Sequence, residues 1–434
     1  MTMKKTAAFC TLGCRVNQYE TRAVEEGFVA RGFEIGNFTE KCDVYVINTC
    51  TVTGESDRKS RQIIRRAKKI NPDSQIVVTG CYSQTNPKEV MEIEGVNLVL
   101  GTRDRKNILE YVKNISSYEK KSYVADIMKV HEFEELKITK YEERTRAYIK
   151  IQEGCNQFCS YCIIPYARGP IRSRDEEEIL KETEKLVNNG YTEIIYTGIH
   201  VASYGIDKGK PGLSHLLKKA NEINGLKRIR LSSIEPMTLN EDFVKEIKDC
   251  QKLCHHFHLS LQSGCDETLK RMNRKYTTAE YKAIVEGLRK SYSDVAITTD
   301  IMVGFPGETE EEFNKTLEFV KEIKFSDAHI FKYSKRNGTV AARRDDQIPS
   351  NIKEDRSKKL ITLCERLRDE YILSFAGKTL EVLFEQEIKD GYFEGKTSNY
   401  ITVYVKTNEF LQGQYKNVMI KSVKNGIAYG EIQD

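Results

Sequence analysis

Residues 153–165 read Glu-Gly-Cys-Asn-Gln-Phe-Cys-Ser-Tyr-Cys-Ile-Ile-Pro. Cys155, Cys159 and Cys162 fall within eight residues, and three thiolates at this spacing can hold three irons of a cubane 4Fe-4S cluster. The fourth iron is then open to a small molecule, which can bind there and receive an electron. A zinc site usually pairs two CxxC knuckles or adds histidines at matching spacing. No such partner pair accompanies this loop, so the sequence favours iron and sulfur over zinc.

The composition is that of a folded chain with several domains. It has 434 residues, of which 31% are charged and 39% hydrophobic, enough for two to four domains. No apolar run is long enough to cross a bilayer, and the N-terminus has no signal-peptide core. We therefore expect a cytoplasmic protein without a membrane partner. In a reducing compartment its twelve cysteines are better suited to metal binding or packing than to disulfides.

The first part of the chain alternates strands and helices, which is typical of a doubly wound parallel sheet. We assign this α/β domain to residues 1–140. Its predicted strands are Thr6–Leu12, Asp43–Asn48, Gln75–Thr79 and Leu98–Leu100, and its predicted helices are Asn17–Arg31 and Ser56–Ile70. A charged connector is predicted from about residue 127 to residue 146.

A second alternating series predicts a partial (β/α)6 barrel over residues 141–371. Its predicted strands are Tyr148–Gln152, Glu193–Thr197, Arg228–Ser232, His256–Leu261, Ala296–Val303 and Ala328–Tyr333. Sites in such folds gather at the C-terminal ends of the strands, and the cysteine loop follows the first strand. Residues 372–434 read instead as a small β-barrel, with predicted strands Leu380–Phe384, Ile401–Val405, Val418–Val423 and Ile427–Glu431.

Three distant cysteines, Cys14, Cys50 and Cys81, each follow a predicted strand of the N-terminal sheet. The ends of parallel strands lie side by side at one edge of a sheet, so these thiols could converge on one cluster. Spacing alone does not establish this, because buried cysteine is common.

The loop at 155–162 resembles the CxxxCxΦC motif of the radical S-adenosylmethionine enzymes, with Tyr161 at the aromatic position. The resemblance implies that the amine and carboxylate of S-adenosylmethionine chelate the open iron. Electron transfer would then give a 5′-deoxyadenosyl radical, which can remove hydrogen from an unactivated C–H bond. The residues expected to contact S-adenosylmethionine are Tyr161, Gly198, His200, Ser233, Glu235, Gln262, Asp300, Val303 and Gly304.

Most of these contacts lie where predicted strands end, and the alternative is that they form ordinary strand-to-helix turns. Three arginines follow the cysteine loop closely, and we expect them to bind a carboxylate of the substrate or cofactor. They are Arg168, Arg172 and Arg174.

The whole chain resembles the methylthiotransferases, which have such an N-terminal domain, a radical S-adenosylmethionine core and a C-terminal TRAM domain. The resemblance implies two 4Fe-4S clusters, the second held by Cys14, Cys50 and Cys81 and carrying the sulfur to be transferred. It also implies that S-adenosylmethionine is both the methyl donor and the radical source. No catalytic side chain beyond the cluster ligands is expected. The expected partners are the anticodon stem-loop of tRNA and an electron donor such as flavodoxin or ferredoxin.

Two stretches, 11–21 and 262–272, are most similar to the MtaB branch of that family. This branch forms the 2-methylthio derivative of N6-threonylcarbamoyladenosine next to the anticodon. Alternatives within the family are isopentenyladenosine in tRNA or an aspartate of a ribosomal protein. An alternative of another class is an RNA-binding protein whose cluster is structural. From Tyr371 onward seven Lys and no Arg stand against eight Asp and Glu, so the RNA role of the last domain is implied by the TRAM resemblance and not by its charge.

Overall fold

The structure is a computed structural model, and it describes residues 4–116, 118–139, 145–209 and 212–433. The predicted boundary between residues 140 and 141 lies outside these ranges. None of the helices within them is long and apolar enough to span a membrane.

The N-terminal region is a six-stranded parallel sheet with helices on its faces. Its strands are β1 (Thr6–Thr11), β2 (Glu34–Ile35), β3 (Val44–Thr49), β4 (Gln75–Gly80), β5 (Val96–Leu100) and β6 (Lys121–Tyr123). Its helices are α1 (Arg15–Val29), α2 (Gly54–Ile70), α3 (Cys81–Thr85), α4 (Pro87–Glu92) and α5 (Ile108–Lys113). The strand order is β2-β1-β3-β4-β5-β6, and one apolar cluster lies on each face of the sheet. The predicted doubly wound sheet is confirmed.

The middle region is an open barrel of six parallel strands. Its strands are β7 (Arg146–Glu153), the short antiparallel β8 (Arg172–Ser173), β9 (Glu193–Gly198), β10 (Arg228–Leu231), β11 (His256–His258), β12 (Ala296–Val303) and β13 (Asp327–Lys332). Its helices are α6 (Ile164–Arg168), α7 (Glu176–Asn188), α8 (Leu213–Asn221), α9 (Glu241–Ile247), α10 (Asp266–Arg271), α11 (Thr278–Ser291), α12 (Glu310–Ile323) and α13 (Ser350–Leu373).

The barrel strands form two groups, β10-β9-β7-β8 and β11-β12-β13. Isolated parallel bridges join the groups, Ile229 to Leu253 and Ile234 to Leu259. A large apolar cluster packs the strands against the surrounding helices. The predicted partial barrel is therefore confirmed, and its cysteine loop lies at the C-terminal end of β7.

The C-terminal region closes into a five-stranded barrel in the order β14-β15-β16-β18-β17. Its strands are β14 (Thr379–Glu387), β15 (Tyr392–Thr397), β16 (Thr402–Lys406), β17 (Tyr415–Lys424) and β18 (Ile427–Ile432). The small β-barrel is confirmed, but β15 was absent from the sequence prediction. The predicted boundary at 371/372 falls inside α13, which continues to Leu373.

The small barrel docks on the open barrel through two buried arginines of β10. The guanidinium of Arg228 donates to the main-chain carbonyls of Lys396 and Glu381 at 3.0 and 2.8 Å. That of Arg230 donates to the carbonyls of Ser398 and Thr397 at 3.0 and 3.2 Å. The turn between β15 and β16 is thus fixed at the N-terminal end of the open barrel.

Candidate active site

The cysteine loop is held by main-chain hydrogen bonds on both sides. The amide of Cys155 donates to the carbonyl of Gly169 at 3.0 Å, and the amide of Ser160 donates to that of Met272 at 3.0 Å. Gly154 has φ +76°, and a Cβ there would lie 1.8 Å from the carbonyl oxygen of Pro170. Only glycine allows this approach, so the loop leaves β7 in one conformation.

The three thiols of the loop influence one another. Burial, and then the nearby Cys159 thiol, raise the pKa of Cys162 to about 12. Burial raises the pKa of Cys155 to about 11, with Cys159 again contributing. The sulfurs are therefore neighbours in a poorly hydrated loop, where burial disfavours the thiolate forms of Cys155 and Cys162. Ligands must be deprotonated before they bind metal, so loading of a cluster here releases protons.

One arginine joins this loop to the barrel interior. Arg274 donates from Nη1 to the Sγ of Cys159 at 3.5 Å and from Nη2 to the carboxylate of Glu235 at 3.0 Å. It also donates to the carbonyl of Ser260 at 3.0 Å. Glu235 was expected to contact S-adenosylmethionine, whereas Arg274 was not predicted. The feature of the sequence that could have indicated a role for Arg274 is its position just after the 262–272 stretch.

Polar atoms without a hydrogen-bond partner among the described residues lie on the strand ends next to Glu235, although the Nε2 of His200 comes within 3.9 Å of its carboxylate. Within the described residues, neither ring nitrogen of His200 nor the hydroxyl of Ser232 has a hydrogen-bond partner, although all three atoms are buried. Burial, and then Arg274, lower the pKa of His200 to about 4, so the imidazole is neutral at physiological pH. Buried polar groups are normally paired. Unpaired ones at this position fit a polar ligand such as S-adenosylmethionine.

The other residues expected at the cofactor are spread along the same strand ends. The amide of Gln262, at φ +65°, donates to the carbonyl of Asp300 at 2.8 Å, and the carboxylate of Asp300 lies 3.3 Å from His258. Tyr161 packs edge to face on Phe305, with ring centres 6.4 Å apart. The remaining four differ in exposure: Val303 is buried, Gly198 and Ser233 are at least partly exposed, and Gly304 is buried with φ +69°.

The three distant cysteines follow adjacent strands. Cys14 comes after β1 and caps α1, Cys50 comes after β3, and Cys81 opens α3 after β4. A Cβ at Gly13 would lie 2.9 Å from the Sγ of Cys50, so glycine there lets the first and second segments approach closely.

Each of these thiols also raises the pKa of another. Beyond the raising effect of burial, Cys50 acts on Cys14, Cys81 acts on Cys50, and Cys14 acts on Cys81. The sheet thus brings the three together at one edge. Within the described ranges no three His, Cys, Asp or Glu side chains are close enough to hold a single metal ion. A four-iron cube takes each thiolate on a different iron, which requires wider spacing than one ion does.

Arg168 follows the cysteine loop in sequence and contacts a cysteine of the N-terminal sheet. Its Nε donates to the Sγ of Cys81 at 3.2 Å, and its Nη1 donates to the carboxylates of Glu20 and Glu153 at 2.6 and 2.7 Å. The side chain is fully buried. The structure therefore gives Arg168 internal carboxylates as partners.

Arg172 and Arg174 likewise have internal partners. Arg172 is buried and donates to the carbonyls of Arg168, Pro170 and Val130 at 2.8, 3.2 and 3.2 Å. Arg174 is fully buried and binds the carboxylates of Glu135 and Glu182. The three arginines thus have internal partners, and their binding of a substrate or cofactor carboxylate stays a prediction.

The carboxylate of Glu20 organises a buried charge network that the sequence analysis missed. Arg168, Lys150 and Arg105 lie 2.6, 3.0 and 3.0 Å from its oxygens. Burial acts to raise the pKa of Glu20, but these three cations outweigh it and the pKa lies below its usual value. The available signals were a lysine within the apolar strand β7 and a glutamate on the buried side of α1. This network joins the N-terminal sheet to the open barrel.

Tyr400 of the C-terminal barrel packs against the open barrel at the start of β11. Its ring stacks on His256, with centres 4.6 Å apart, and its hydroxyl accepts a hydrogen bond from Arg15 at 3.2 Å. Burial would raise the pKa of Tyr400, but Arg15, Arg146 and Lys396 together lower it to about 8. This one tyrosine therefore touches both the open barrel and the residue that follows Cys14.

Comparison with known families divides the chain in the same way as its fold. Residues 149–320 match the Radical SAM superfamily, residues 6–101 match the Uncharacterized protein family UPF0004, and residues 373–432 match the TRAM domain.

Relatives match the chain over nearly its entire length. It is 46% identical to the threonylcarbamoyladenosine tRNA methylthiotransferase MtaB of Bacillus subtilis, covering 99% of this chain and 96% of that protein. It is 34% identical to the tRNA-2-methylthio-N(6)-dimethylallyladenosine synthase of Acetivibrio thermocellus, covering 99% of this chain and 91% of that protein.

Among solved structures, the fold is similar to that of the radical S-adenosylmethionine methyltransferase TsrM from Kitasatospora setae, which has cobalamin and a [4Fe-4S] cluster bound. The TM-score is 0.59 at 16% identity, covering 78% of this chain and 77% of that one.

Proposed function

This chain belongs to the methylthiotransferase family of radical S-adenosylmethionine enzymes, and from that premise we propose that it transfers a methylthio group to carbon 2 of N6-threonylcarbamoyladenosine in tRNA. The observation that carries the proposal is the 46% identity to a threonylcarbamoyladenosine enzyme over 99% of the chain. Identity to the dimethylallyladenosine enzyme over the same share is 34%. The greater likeness favours the threonylcarbamoyl substrate.

The cofactors are those of the family, namely two 4Fe-4S clusters and S-adenosylmethionine. When bound, they supply a carbon radical that can remove hydrogen from an unactivated C–H bond, together with the sulfur and methyl group that are transferred. We assign the first cluster to Cys155, Cys159 and Cys162.

The chain's own residues would orient S-adenosylmethionine beside that loop. The neutral ring of His200 and the hydroxyl of Ser232 are buried donors and acceptors available to a polar ligand. Glu235 is fixed by Arg274 at 3.0 Å, and Arg274 also touches Cys159. A displacement of Glu235 by the cofactor would therefore also move Arg274, which hydrogen-bonds a cluster ligand.

We assign the second cluster to Cys14, Cys50 and Cys81, at the edge of the N-terminal sheet. In support, four buried cations in the adjoining network face three carboxylates. The cations are Arg105, Lys150, Arg168 and Arg172, and the carboxylates are Glu20, Glu134 and Glu153. Arg168 brings positive charge to Cys81, where it acts against the burial that raises the pKa of that thiol.

The proposed partners are tRNA, through the barrel that matches the TRAM domain, and an electron donor such as flavodoxin or ferredoxin. A cytoplasmic location is consistent with a tRNA substrate.

The test is nucleoside analysis of tRNA from cells that lack this protein. We expect 2-methylthio-N6-threonylcarbamoyladenosine to be absent and its precursor without sulfur to accumulate. Wild-type protein should restore the modification, and the matched variants Cys159→Ala and Cys50→Ala should not. Loss of the methylthio form of isopentenyladenosine instead would reassign the substrate. A purified protein that forms no 5′-deoxyadenosine when reduced with S-adenosylmethionine would indicate a structural cluster.

A further inference from the structure

A single short helix connects the two groups of cysteines. Helix α6 begins two residues after Cys162 and ends at Arg168. The Nε of Arg168 then donates to the Sγ of Cys81 at 3.2 Å. A residue of the open barrel therefore hydrogen-bonds a cysteine of the N-terminal sheet.

The orientation of this guanidinium is fixed on its other side. Nη1 donates to Glu20 and Glu153 at 2.6 and 2.7 Å, and Nη2 donates to the amide oxygen of Asn17 at 2.5 Å. The side chain is fully buried, so water does not compete for Nε. A planar group held by two carboxylates presents its remaining donor in one direction, which here is toward sulfur.

Such a hydrogen bond has a defined effect on an iron–sulfur cluster. Reduction increases the negative charge on the ligating sulfurs, so a donor at one of them stabilises the reduced state more than the oxidised state. Hydrogen bonds to the sulfurs are among the features that set cluster potentials.

This inference rests on the proposed function, in which the auxiliary cluster takes up an electron. In the proposed reaction a substrate carbon radical would join a methylthiolate held at the cluster, so that a C–S bond would form and the sulfur would leave its iron. The new bond would take two of the three electrons involved, and the third would pass to the auxiliary cluster. We propose that Arg168 is a positioning residue that raises the reduction potential of the cluster held by Cys14, Cys50 and Cys81, and so prepares it to accept this electron.

The chain offers a matched control for the buried network. Arg105 is equally buried and lies 3.0 Å from the same carboxylate of Glu20, but within the described residues no sulfur accepts a hydrogen bond from it. Arg274 offers a second comparison, because it donates to Cys159 of the other group at 3.5 Å.

The experiment is an EPR-monitored redox titration of the full-length protein with both clusters loaded and no tRNA present. In Arg168→Lys we expect the one-electron reduction equilibrium of the auxiliary cluster to shift about tenfold toward the oxidised state, or about 59 mV. The other cluster should keep its potential. Arg105→Lys should leave both unchanged, and Arg274→Lys should shift only the other cluster.

An unchanged auxiliary potential in an Arg168→Lys protein that retains two clusters would overturn this inference alone. An equal shift in Arg105→Lys would do the same. A wild type with a single cluster would overturn the proposed function and this inference with it. If Arg168→Lys fails to load, the wild type labelled with ¹⁵N-arginine is measured by pulsed EPR. Absence of arginine nitrogen coupling at the auxiliary cluster then contradicts the assignment.

Discussion

Glu20→Gln should strongly destabilise the interface between the N-terminal sheet and the open barrel. The carboxylate lies within 3.0 Å of atoms of Arg168, Lys150 and Arg105, all in a fully buried position. Glutamine keeps the shape of the side chain but removes its charge, which leaves four buried cations facing two carboxylates. Removing one partner of a buried ion pair costs about 3–5 kcal/mol, and we expect a loss in this range.

The assay is thermal unfolding of the full-length protein followed by calorimetry. For a unit of 150–250 residues each kcal/mol corresponds to about 2–4 °C, so the transition that includes the N-terminal sheet should fall by roughly 10 °C. Glu25→Gln is the matched control on the same helix, because Glu25 pairs with Arg22 at 3.0 Å near the surface. Such pairs contribute about 0–1 kcal/mol. Equal shifts in the two variants would refute the assignment of Glu20 as the centre of the network.

The pH dependence provides a further check on Glu20. Its pKa lies below the ordinary value of 4.5 in the folded protein, so its contribution to stability is present above that value. It is lost as the pH falls through the lower pKa of the folded state. The difference between wild type and Glu20→Gln should therefore be full at pH 7 and shrink in acid.

Three other substitutions test separate parts of the structure. Tyr400→Phe should abolish a tyrosinate absorbance change near pH 8. Because the pKa of Tyr400 in the folded protein is below the ordinary 10, the wild type should also gain stability relative to the variant as the pH rises from 8 to 10. Identical absorbance titrations of the two proteins would contradict the assignment. Cys50→Ala should reduce iron and sulfide by about half after reconstitution, because one of two clusters is lost, and an unchanged count would show that Cys50 is not a ligand. Gly13→Ala should destabilise the fold by about 1–3 kcal/mol in chemical denaturation, because Gly13 has φ +99° and a Cβ there would lie 2.8 Å from that of Cys50. Gly32→Ala is the control without a steric clash, because no described atom lies within 4 Å of the Cβ position at Gly32.

The strands of the N-terminal sheet could be predicted from the sequence because each strand is a short apolar segment. Apolar runs such as 44–49 and 75–80 fold into neighbouring parallel strands, and that geometry alone brings Cys50 and Cys81 to one edge. The roles of the arginines were not readable in this way. Arg168 lies close in sequence to the cysteine loop, but its partner Glu20 is 148 residues away and depends on how two folded regions meet.

Tyr400 illustrates the same limit in the C-terminal barrel. Alternation of aromatic residues with polar ones in a strand indicates a core position or a surface that stacks on bases. The structure instead gives Tyr400 a left-handed backbone, at φ +66°, and inserts its ring beneath another region against His256. Strand β15 is not apparent in the sequence because Gly395 interrupts the apolar face of the strand. A Cβ at Gly395 would lie 2.5 Å from the side chain of Val382, so the neighbouring strand leaves no room for a larger residue there.

The docking of the small barrel has a consequence for how this enzyme can change over time. In the segment 396–398, Arg228 and Arg230 donate hydrogen bonds to main-chain carbonyl oxygens and not to side chains. Substitutions of Lys396 or Thr397 therefore leave these hydrogen bonds in place as long as the backbone keeps its path, whereas Ser398 also accepts a hydrogen bond from the amide of His255 through its hydroxyl at 3.3 Å. The small barrel can thus change part of its sequence while these main-chain contacts hold it against the open barrel.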